Sequence, residues 1–284
     1  MEPIFPPFEP EPVPPQRRFR PVPLRLLIPN VITLIALAAG LTAVRFAIEG
    51  KLEYAALAII AAAVLDGVDG RIARLLKGTS RFGAELDSLA DFVTFGCATG
   101  LILYFWLLHE LKTIGWLACL LLAFAMALRL ARFNVALDAP ERPAWQKTFA
   151  TGVPAPAGAM MVMLPLNLSL AGMPHFVGES VLVLIWTLIS TALIVSRVPT
   201  FSGKGFGSPV PRERVLPILA GVVVILALLV SHPLETVSFL TLVYVACIPI
   251  AIQRYLRRKA EDQAALRPKP GENPEEKPES TPSA

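Results

Sequence analysis

Four aspartates between residues 66 and 91 are the side chains of this sequence best suited to chemistry. Asp66, Asp69, Asp87 and Asp91 lie in stretches that are otherwise apolar enough to cross a membrane. An aspartate at the centre of a membrane helix costs about 2.5–3.5 kcal/mol on insertion scales. A chain that places four of them there is expected to use them, and we predict that they hold metal ions.

The first helix of this region is predicted to present carboxylates and very small side chains on one face. At about 100° per residue, Asp69, Gly70 and Ala73 fall on the same stripe as Asp66. A glycine inside a helix costs about 1 kcal/mol relative to alanine, so a gain elsewhere is expected. The small residues would open a concave face, and close helix packing is the alternative.

A second helix is predicted to bring its own carboxylates to the same place. After a turn over residues 77–82, Gly83, Asp87 and Asp91 follow one another at i, i+4 spacing. Two antiparallel helices would then gather the four aspartates into an all-oxygen cluster whose repulsion requires cations, and Mg²⁺ or Mn²⁺ suit such ligands. In the alternative interpretation, the aspartates cap helices or pair at a membrane surface with Arg71, Arg74 and Arg81.

The elements that position these residues are predicted to be transmembrane helices. The chain has 284 residues, of which 54% are hydrophobic, and its mean hydropathy is +0.59, well above the usual balance of a soluble domain. Apolar runs of about 20 residues span a bilayer. The sequence therefore predicts an all-α, polytopic transmembrane helical bundle of about eight spans, at 26–48, 53–76, 84–108, 113–135, 154–173, 180–196, 215–231 and 235–253.

The two ends of the chain differ in composition from the apolar middle. Residues 1–23 are proline-rich and residues 257–284 are polar, so both are predicted to be disordered cytoplasmic tails of a transmembrane domain at 24–256. The net charge of +4 is attributed to membrane orientation and anionic lipid headgroups rather than to nucleic-acid binding.

The distribution of basic residues predicts the orientation in the membrane. If the N-terminus is cytoplasmic and eight spans alternate, only Arg45, Lys51 and Lys112 of the 26 lysines and arginines lie near the outer face. Basic residues concentrate on the cytoplasmic side of membrane proteins. The aspartates are therefore predicted to lie at the cytoplasmic side.

The aspartate region also resembles a known family signature. The pattern D-x2-D-G-x2-A-R-x8-G-x3-D-x3-D runs from Asp66 to Asp91 without a departure. It is similar to the signature of the CDP-alcohol phosphatidyltransferases, membrane enzymes that move a phosphatidyl group from CDP-diacylglycerol to an alcohol and release CMP. The resemblance implies two divalent ions held by all four aspartates. It also implies that Asp91 accepts the proton of the attacking hydroxyl.

The resemblance further implies which residues bind the CDP-diacylglycerol donor. The small residues of the signature would face the cytidine end, and the planar guanidinium of its arginine suits phosphate oxygens. Two residues of LLIPNVITL, at the head of the first span, also resemble the family pattern, although helix capping is an alternative for Asn30. The six donor-site candidates are Gly70, Ala73, Arg74, Gly83, Asn30 and Thr33.

Three further segments bear on the acceptor alcohol. Residues 129–135 (RLARFNV), 151–159 (TGVPAPAGA) and 196–204 (SRVPTFSGK) are similar to segments of bacterial, membrane-integral phosphatidylserine synthases. This resemblance implies L-serine as the acceptor, a homodimer, and a bacterial inner membrane. Serine carries a carboxylate that needs a cation, and the acceptor-binding candidates are Arg132 and Lys204, which are preferred, with Arg129 and Arg197.

Other functions are compatible with the same sequence. The signature does not identify the alcohol, so glycerol 3-phosphate or inositol could replace serine. A secondary transporter with an intramembrane cation site belongs to a different class, although the paired broken helices typical of such folds are not found. An ion-binding scaffold without activity is a third hypothesis. The basic residues near the acceptor segments could also follow from membrane orientation alone.

Overall fold

Helices make up nearly all of the part of the chain that the structure describes. The structure is a computed structural model, and it describes residues 24–76, 78, 80–137, 149–174, 176–201 and 212–265. A π-helical segment, Phe92–Ala98, joins the third α-helix to the fourth, and a short 3₁₀ turn, Leu108–Leu111, precedes the fifth. The α-helices are α1 Leu24–Ile48, α2 Leu52–Leu75, α3 Arg81–Asp91, α4 Thr99–Trp106, α5 Lys112–Leu137, α6 Ala155–Leu170, α7 Glu179–Val195, α8 Arg212–Ser231 and α9 Pro233–Ala265.

The length and composition of these helices confirm an all-α membrane fold. Helices α6 and α7 are apolar but shorter than a typical span, and α2 carries charged residues in its second half, so the predicted number of eight spans stays a prediction. Among the described residues, five helical stretches are long and apolar enough to cross a membrane: Leu27–Ile48, Arg81–Trp106, Leu108–Ala136, Arg214–Ser231 and Pro233–Asp262.

Helix α6 lies at the centre of the bundle and α8 at its edge. Most side chains of α6 are buried, including Ala159, Val162 and Leu166, and α6 packs against α2, α4, α7 and α9. The apolar side chains of α8 are exposed to the surroundings of the protein, and this helix packs against α9. An apolar helix exposed on all sides is expected where lipid is the solvent.

A small β-pair departs from the predicted all-helical pattern. Strands β1 (Phe149–Thr151) and β2 (Pro199–Phe201) are antiparallel, with Ala150 opposite Thr200. The Gly152 amide donates to the Val198 carbonyl at 2.9 Å, and Gly152 has a φ of +78°. A Cβ at this position would lie 2.8 Å from the Ser196 carbonyl oxygen, so glycine allows the start of α6 to be joined to the end of α7.

The structure describes none of the predicted N-terminal tail and only the first part of the predicted C-terminal tail. Residues 1–23 and 266–284 lie outside the described residues. Helix α9, however, continues to Ala265, past the predicted domain boundary at residue 256. Its last part carries the Arg257–Lys259 cluster and further polar residues, so it leaves the apolar layer while remaining helical.

Candidate active site

The turn between α2 and α3 sets the relative position of the two helices that carry the aspartates. Ser80 has extended backbone geometry and caps α3, because its Oγ accepts a hydrogen bond of 3.0 Å from the Gly83 amide. This is the interaction that satisfies a free amide at a helix N-terminus. The chain therefore leaves α2 and begins α3 within a few residues, and the two helices present their aspartates to each other.

The carboxylates of both helices meet as the spacing predicted. One carboxylate oxygen each of Asp66, Asp69 and Asp87 lies within 4.8 Å of the others. The Asp91 side chain lies within hydrogen-bonding distance of the Asp66 side chain. The structure thus brings all four aspartates into one cluster, with Asp69 the most buried of the four at 4% exposure.

The donor atoms of this cluster fit a hard divalent cation. They are carboxylate oxygens only, and ionised carboxylates this close repel one another unless positive charge lies between them. The guanidinium of Arg129 lies within electrostatic range of Asp91 and Asp66, but one cation does not balance four carboxylates. Asp69 is held from outside, because the Thr33 hydroxyl donates to its Oδ2 at 2.6 Å. Such outer hydrogen bonds orient metal-binding carboxylates.

A cavity of about 270 Å³ opens next to the cluster. Asp69 and Asp87 form part of its wall, so the cavity and the acidic cluster are continuous. All six donor-site candidates of the sequence line this one cavity, and no candidate lies elsewhere. The full lining is Pro29, Asn30, Thr33, Asp69, Gly70, Ala73, Arg74, Gly78, Ser80, Gly83, Ala84, Asp87 and Phe133.

The two glycines of the signature occupy different surroundings in this cavity. A Cβ on Gly83 would lie 3.0 Å from the Asn30 Oδ1 and 3.1 Å from the Ser80 Oγ, so Gly83 lets α1 approach the start of α3. A Cβ on Gly70 would meet only the Arg74 Nη1, at 3.8 Å. Gly70 therefore leaves space that belongs to the cavity, whereas Gly83 serves both packing and the cavity wall.

The four basic acceptor-site candidates are not equivalent in the structure. Of the three candidates that the structure describes, Arg129 lies nearest the aspartates, and its Nε is buried. Arg132 is exposed, and its guanidinium donates to the Val195 carbonyl at the end of α7. Arg197 is exposed, and Lys204 lies outside the described residues. The structure thus places Arg129, rather than the preferred Arg132, beside the acidic cluster.

A hydrogen-bonded link between α3 and α5 was missed by the sequence reasoning. The Ser88 hydroxyl donates to the Asn134 Oδ1 at 3.0 Å, and the Asn134 Nδ2 donates to the Glu85 Oε2 at 3.0 Å. Both partners lie on the helix that carries Asp87 and Asp91. The signal was available in the RFNV segment, where an amide follows Phe133 at the end of an apolar helix.

Comparison with known proteins identifies the family. The family model described as CDP-alcohol phosphatidyltransferase matches residues 26–196, which include the whole aspartate signature, the first strand and the helices around the cavity. The chain belongs to this family. A second model, described as CDP-alcohol phosphatidyltransferase 2, matches residues 213–249, so the last two helices also carry family similarity.

Several curated relatives of the chain carry the description CDP-diacylglycerol–serine O-phosphatidyltransferase. The chain is 39% identical to the protein of Mycobacterium leprae over 86% of its own length and 81% of the relative's. It is 37% identical to the Mycobacterium tuberculosis protein, covering 83% of the chain and 82% of the relative. It is 32% identical to the Helicobacter pylori protein, covering 75% and 85%. The similarity therefore extends over most of each protein.

Proposed function

We propose that this protein transfers the phosphatidyl group of CDP-diacylglycerol to L-serine and releases CMP. The observation that carries the proposal is the aspartate cluster, two of whose members, Asp69 and Asp87, line a cavity together with the small residues of the signature. The shared description of the curated relatives supports serine as the acceptor. In the reaction, the serine oxygen forms a bond to the phosphatidyl phosphorus, and the bond from that phosphorus to the CMP oxygen breaks.

Four residues would hold divalent metal in this protein: Asp66, Asp69, Asp87 and Asp91. Mg²⁺ and Mn²⁺ suit their oxygens. When bound, such ions supply charge neutralisation at the phosphoryl oxygens and make a neighbouring hydroxyl more acidic. Thr33 contributes by fixing the Asp69 carboxylate, and Asn134 contributes by fixing the helix of Asp87.

Asp91 is the residue we propose as the base. It ends α3, is not among the residues that line the cavity, and lies within electrostatic range of Arg129. A serine bound beside Arg129 would present its hydroxyl to the Asp91 carboxylate. Asp91 would take the hydroxyl proton as the new phosphorus–oxygen bond forms. The nearby positive charge of Arg129 would favour the carboxylate form before the transfer.

The donor would occupy the cavity next to Asp69 and Asp87. Gly70 and Ala73 leave room for a flat base against the helix backbone, and the Arg74 guanidinium can donate to phosphate oxygens. Asn30 and Gly83 close the same cavity from α1 and α3, and Thr33 joins it to the cluster. For the acceptor, proximity to the aspartates favours Arg129 over the exposed Arg132 and Arg197.

The proposed function also implies an orientation in the membrane, an oligomeric state and a location for the tails. The active site would face the cytoplasm of a bacterial inner membrane, because few basic residues lie at the opposite end of the bundle. The protein would be a homodimer, which mass measurement in detergent would test. Its tails would lie on the cytoplasmic side of the membrane domain.

An acceptor panel tests the proposed function. Purified protein is supplied with CDP-diacylglycerol, Mg²⁺ and one alcohol at a time, and both CMP and the lipid product are measured. L-serine should support CMP release and yield phosphatidylserine, whereas glycerol 3-phosphate and inositol should not. CMP release with either of these two alcohols and none with serine would overturn the acceptor assignment.

A further inference from the structure

Two buried polar groups near the aspartates lack a hydrogen-bond partner among the described residues. They are the Nε of Arg129 on α5 and the hydroxyl of Tyr244 on α9. Tyr244 lies beside Arg129, within electrostatic range of its guanidinium. Neither residue lines the donor cavity. The two groups therefore form a second polar region, separate from the cavity wall, in which Arg129 is within electrostatic range of Asp91.

The Tyr244 hydroxyl lies beside the β-pair. The Thr200 side chain is next to this hydroxyl, and Thr200 is itself 1% exposed. The Thr200 hydroxyl donates to the Gly152 carbonyl at 2.7 Å, so its position is fixed by the turn that follows β1. Helix α9 packs directly on β2. Tyr244 therefore lies where the last helix meets the strand pair.

Buried donors without partners indicate a ligand. Leaving a buried polar group unsatisfied costs about 1–3 kcal/mol, and more for a charged one. Both the Arg129 Nε and the Tyr244 hydroxyl can donate, and a carboxylate accepts several hydrogen bonds at once. A small acceptor that carries a carboxylate would satisfy both groups and would leave its hydroxyl free to face Asp91.

We propose that Tyr244 and Arg129 together bind the carboxylate of the acceptor, and that Tyr244 is a specificity-determining residue of the last helix. This inference rests on the proposed function, since it assumes an amino-acid acceptor. It assigns part of the active site to α9, outside the 26–196 segment that carries the aspartate signature. It also gives the β-pair a role, because Thr200 lies next to the Tyr244 hydroxyl.

The test compares serine with its analogue ethanolamine in the Tyr244→Phe variant. Ethanolamine matches serine but lacks the carboxylate, so its inhibition constant against serine reports binding without that group. The variant should raise the KM for serine roughly tenfold, which corresponds to about 1.4 kcal/mol. It should leave the inhibition constant of ethanolamine and the KM for CDP-diacylglycerol unchanged. A fall in the amount of folded enzyme changes none of these constants.

Tyr104→Phe provides the matched control. Tyr104 lies on α4 and makes ring contacts with His109 and Trp116 near the other end of the bundle, and phenylalanine keeps those ring contacts. Its constants should equal those of the parent. If the parent enzyme uses serine and Tyr244→Phe leaves the KM for serine unchanged, the inference is wrong while the proposed function stands. If the parent enzyme uses only alcohols without a carboxylate, the proposed function is wrong, and the inference that rests on it is wrong as well.

Discussion

Asp69 is the aspartate whose position is best defined by its neighbours. Its side chain is buried, and the Thr33 hydroxyl donates to it across the boundary between α1 and α2. The same hydroxyl contacts the Pro29 carbonyl at 3.1 Å. A residue of the first helix therefore orients one carboxylate of the cluster, which explains why LLIPNVITL accompanies the aspartate signature.

Gly70 and Gly67 give a matched pair of substitutions in one helix. Gly70→Ala adds a methyl group to the cavity wall and should raise the KM for CDP-diacylglycerol roughly fivefold, equal to about 1 kcal/mol. Gly67→Ala adds the same group where no atom lies within 4 Å, outside the cavity lining, and should leave this KM unchanged. Steady-state CMP release measures both. Equal KM values for the two variants would contradict a donor site at Gly70.

The Asp91→Asn variant should distinguish the role of a general base from that of a residue that only binds metal. Loss of a general base lowers turnover by roughly 10²–10⁴-fold, while the amide keeps the size of the side chain. Donor binding, measured by CMP titration, should survive better in this variant than in Asp69→Asn, because Asp69 lies in the cavity wall. The same loss of CMP binding in both variants would make Asp91 a plain metal ligand.

At the scale of helices, the sequence predicted the parts of the site that depend on helical spacing. The stripe from Asp66 to Ala73 and the i, i+4 series from Gly83 to Asp91 both appear on α2 and α3 as expected. The π-helical segment was not predictable, because its altered hydrogen-bond register leaves no mark on the apolar pattern of residues 92–98. The strand pairing of Ala150 with Thr200 was equally hidden, since each strand has only three residues.

The residues of the acceptor site could not be chosen from the sequence alone, because tertiary contacts decide which of them lie near the aspartates. Arg129 and Arg132 are three residues apart on α5, and their sequence surroundings gave no reason to prefer the first. The structure separates them, because Arg132 bonds to the end of α7 whereas Arg129 faces the cluster. Tyr244 is more than one hundred residues further along the chain. Only tertiary packing brings it to the same region.

Gly40 tests the packing of α1 on the π-helical segment. A Cβ on Gly40 would lie 2.6 Å from the Thr94 Oγ1 and 2.7 Å from its Cγ2, and overpacking of this kind typically costs about 1–3 kcal/mol. Gly40→Ala should therefore lower the thermal unfolding midpoint in detergent. Adding Thr94→Ala should restore part of the loss. Gly221→Ala, with no atom within 4 Å, should not lower it, and an equal drop in that control would contradict the packing argument.

At the scale of the whole molecule, polar function is concentrated at one end of the helical bundle. Near the aspartates, α5 is hydrogen-bonded to α3 through Asn134 and to the end of α7 through Arg132, and the β-pair connects the start of α6 with the segment after α7. At the other end, Glu49 forms ion pairs with Arg45 at 2.7 Å and with Lys51 at 2.8 Å. Two of the few basic residues predicted to face outward are thus paired locally.

Cysteine labelling in intact cells tests the predicted orientation. Lys51→Cys lies in the α1–α2 turn, and Phe82→Cys lies near the α2–α3 turn, where Phe82 is 69% exposed. A membrane-impermeant maleimide added outside should label Lys51→Cys but not Phe82→Cys, and permeabilisation should expose the second. The parent, with its own three cysteines, gives the background. The reverse labelling pattern would place the aspartates on the outer face.

The metal requirement of CMP release tests the central claim most directly, since the aspartate cluster has no catalytic purpose without cations. Purified protein is stripped with EDTA and supplied with CDP-diacylglycerol and L-serine, and CMP is measured before and after a divalent ion is restored. We expect no CMP release from the stripped protein and full recovery with Mg²⁺ or Mn²⁺. A rate of CMP release that EDTA leaves intact would contradict the account.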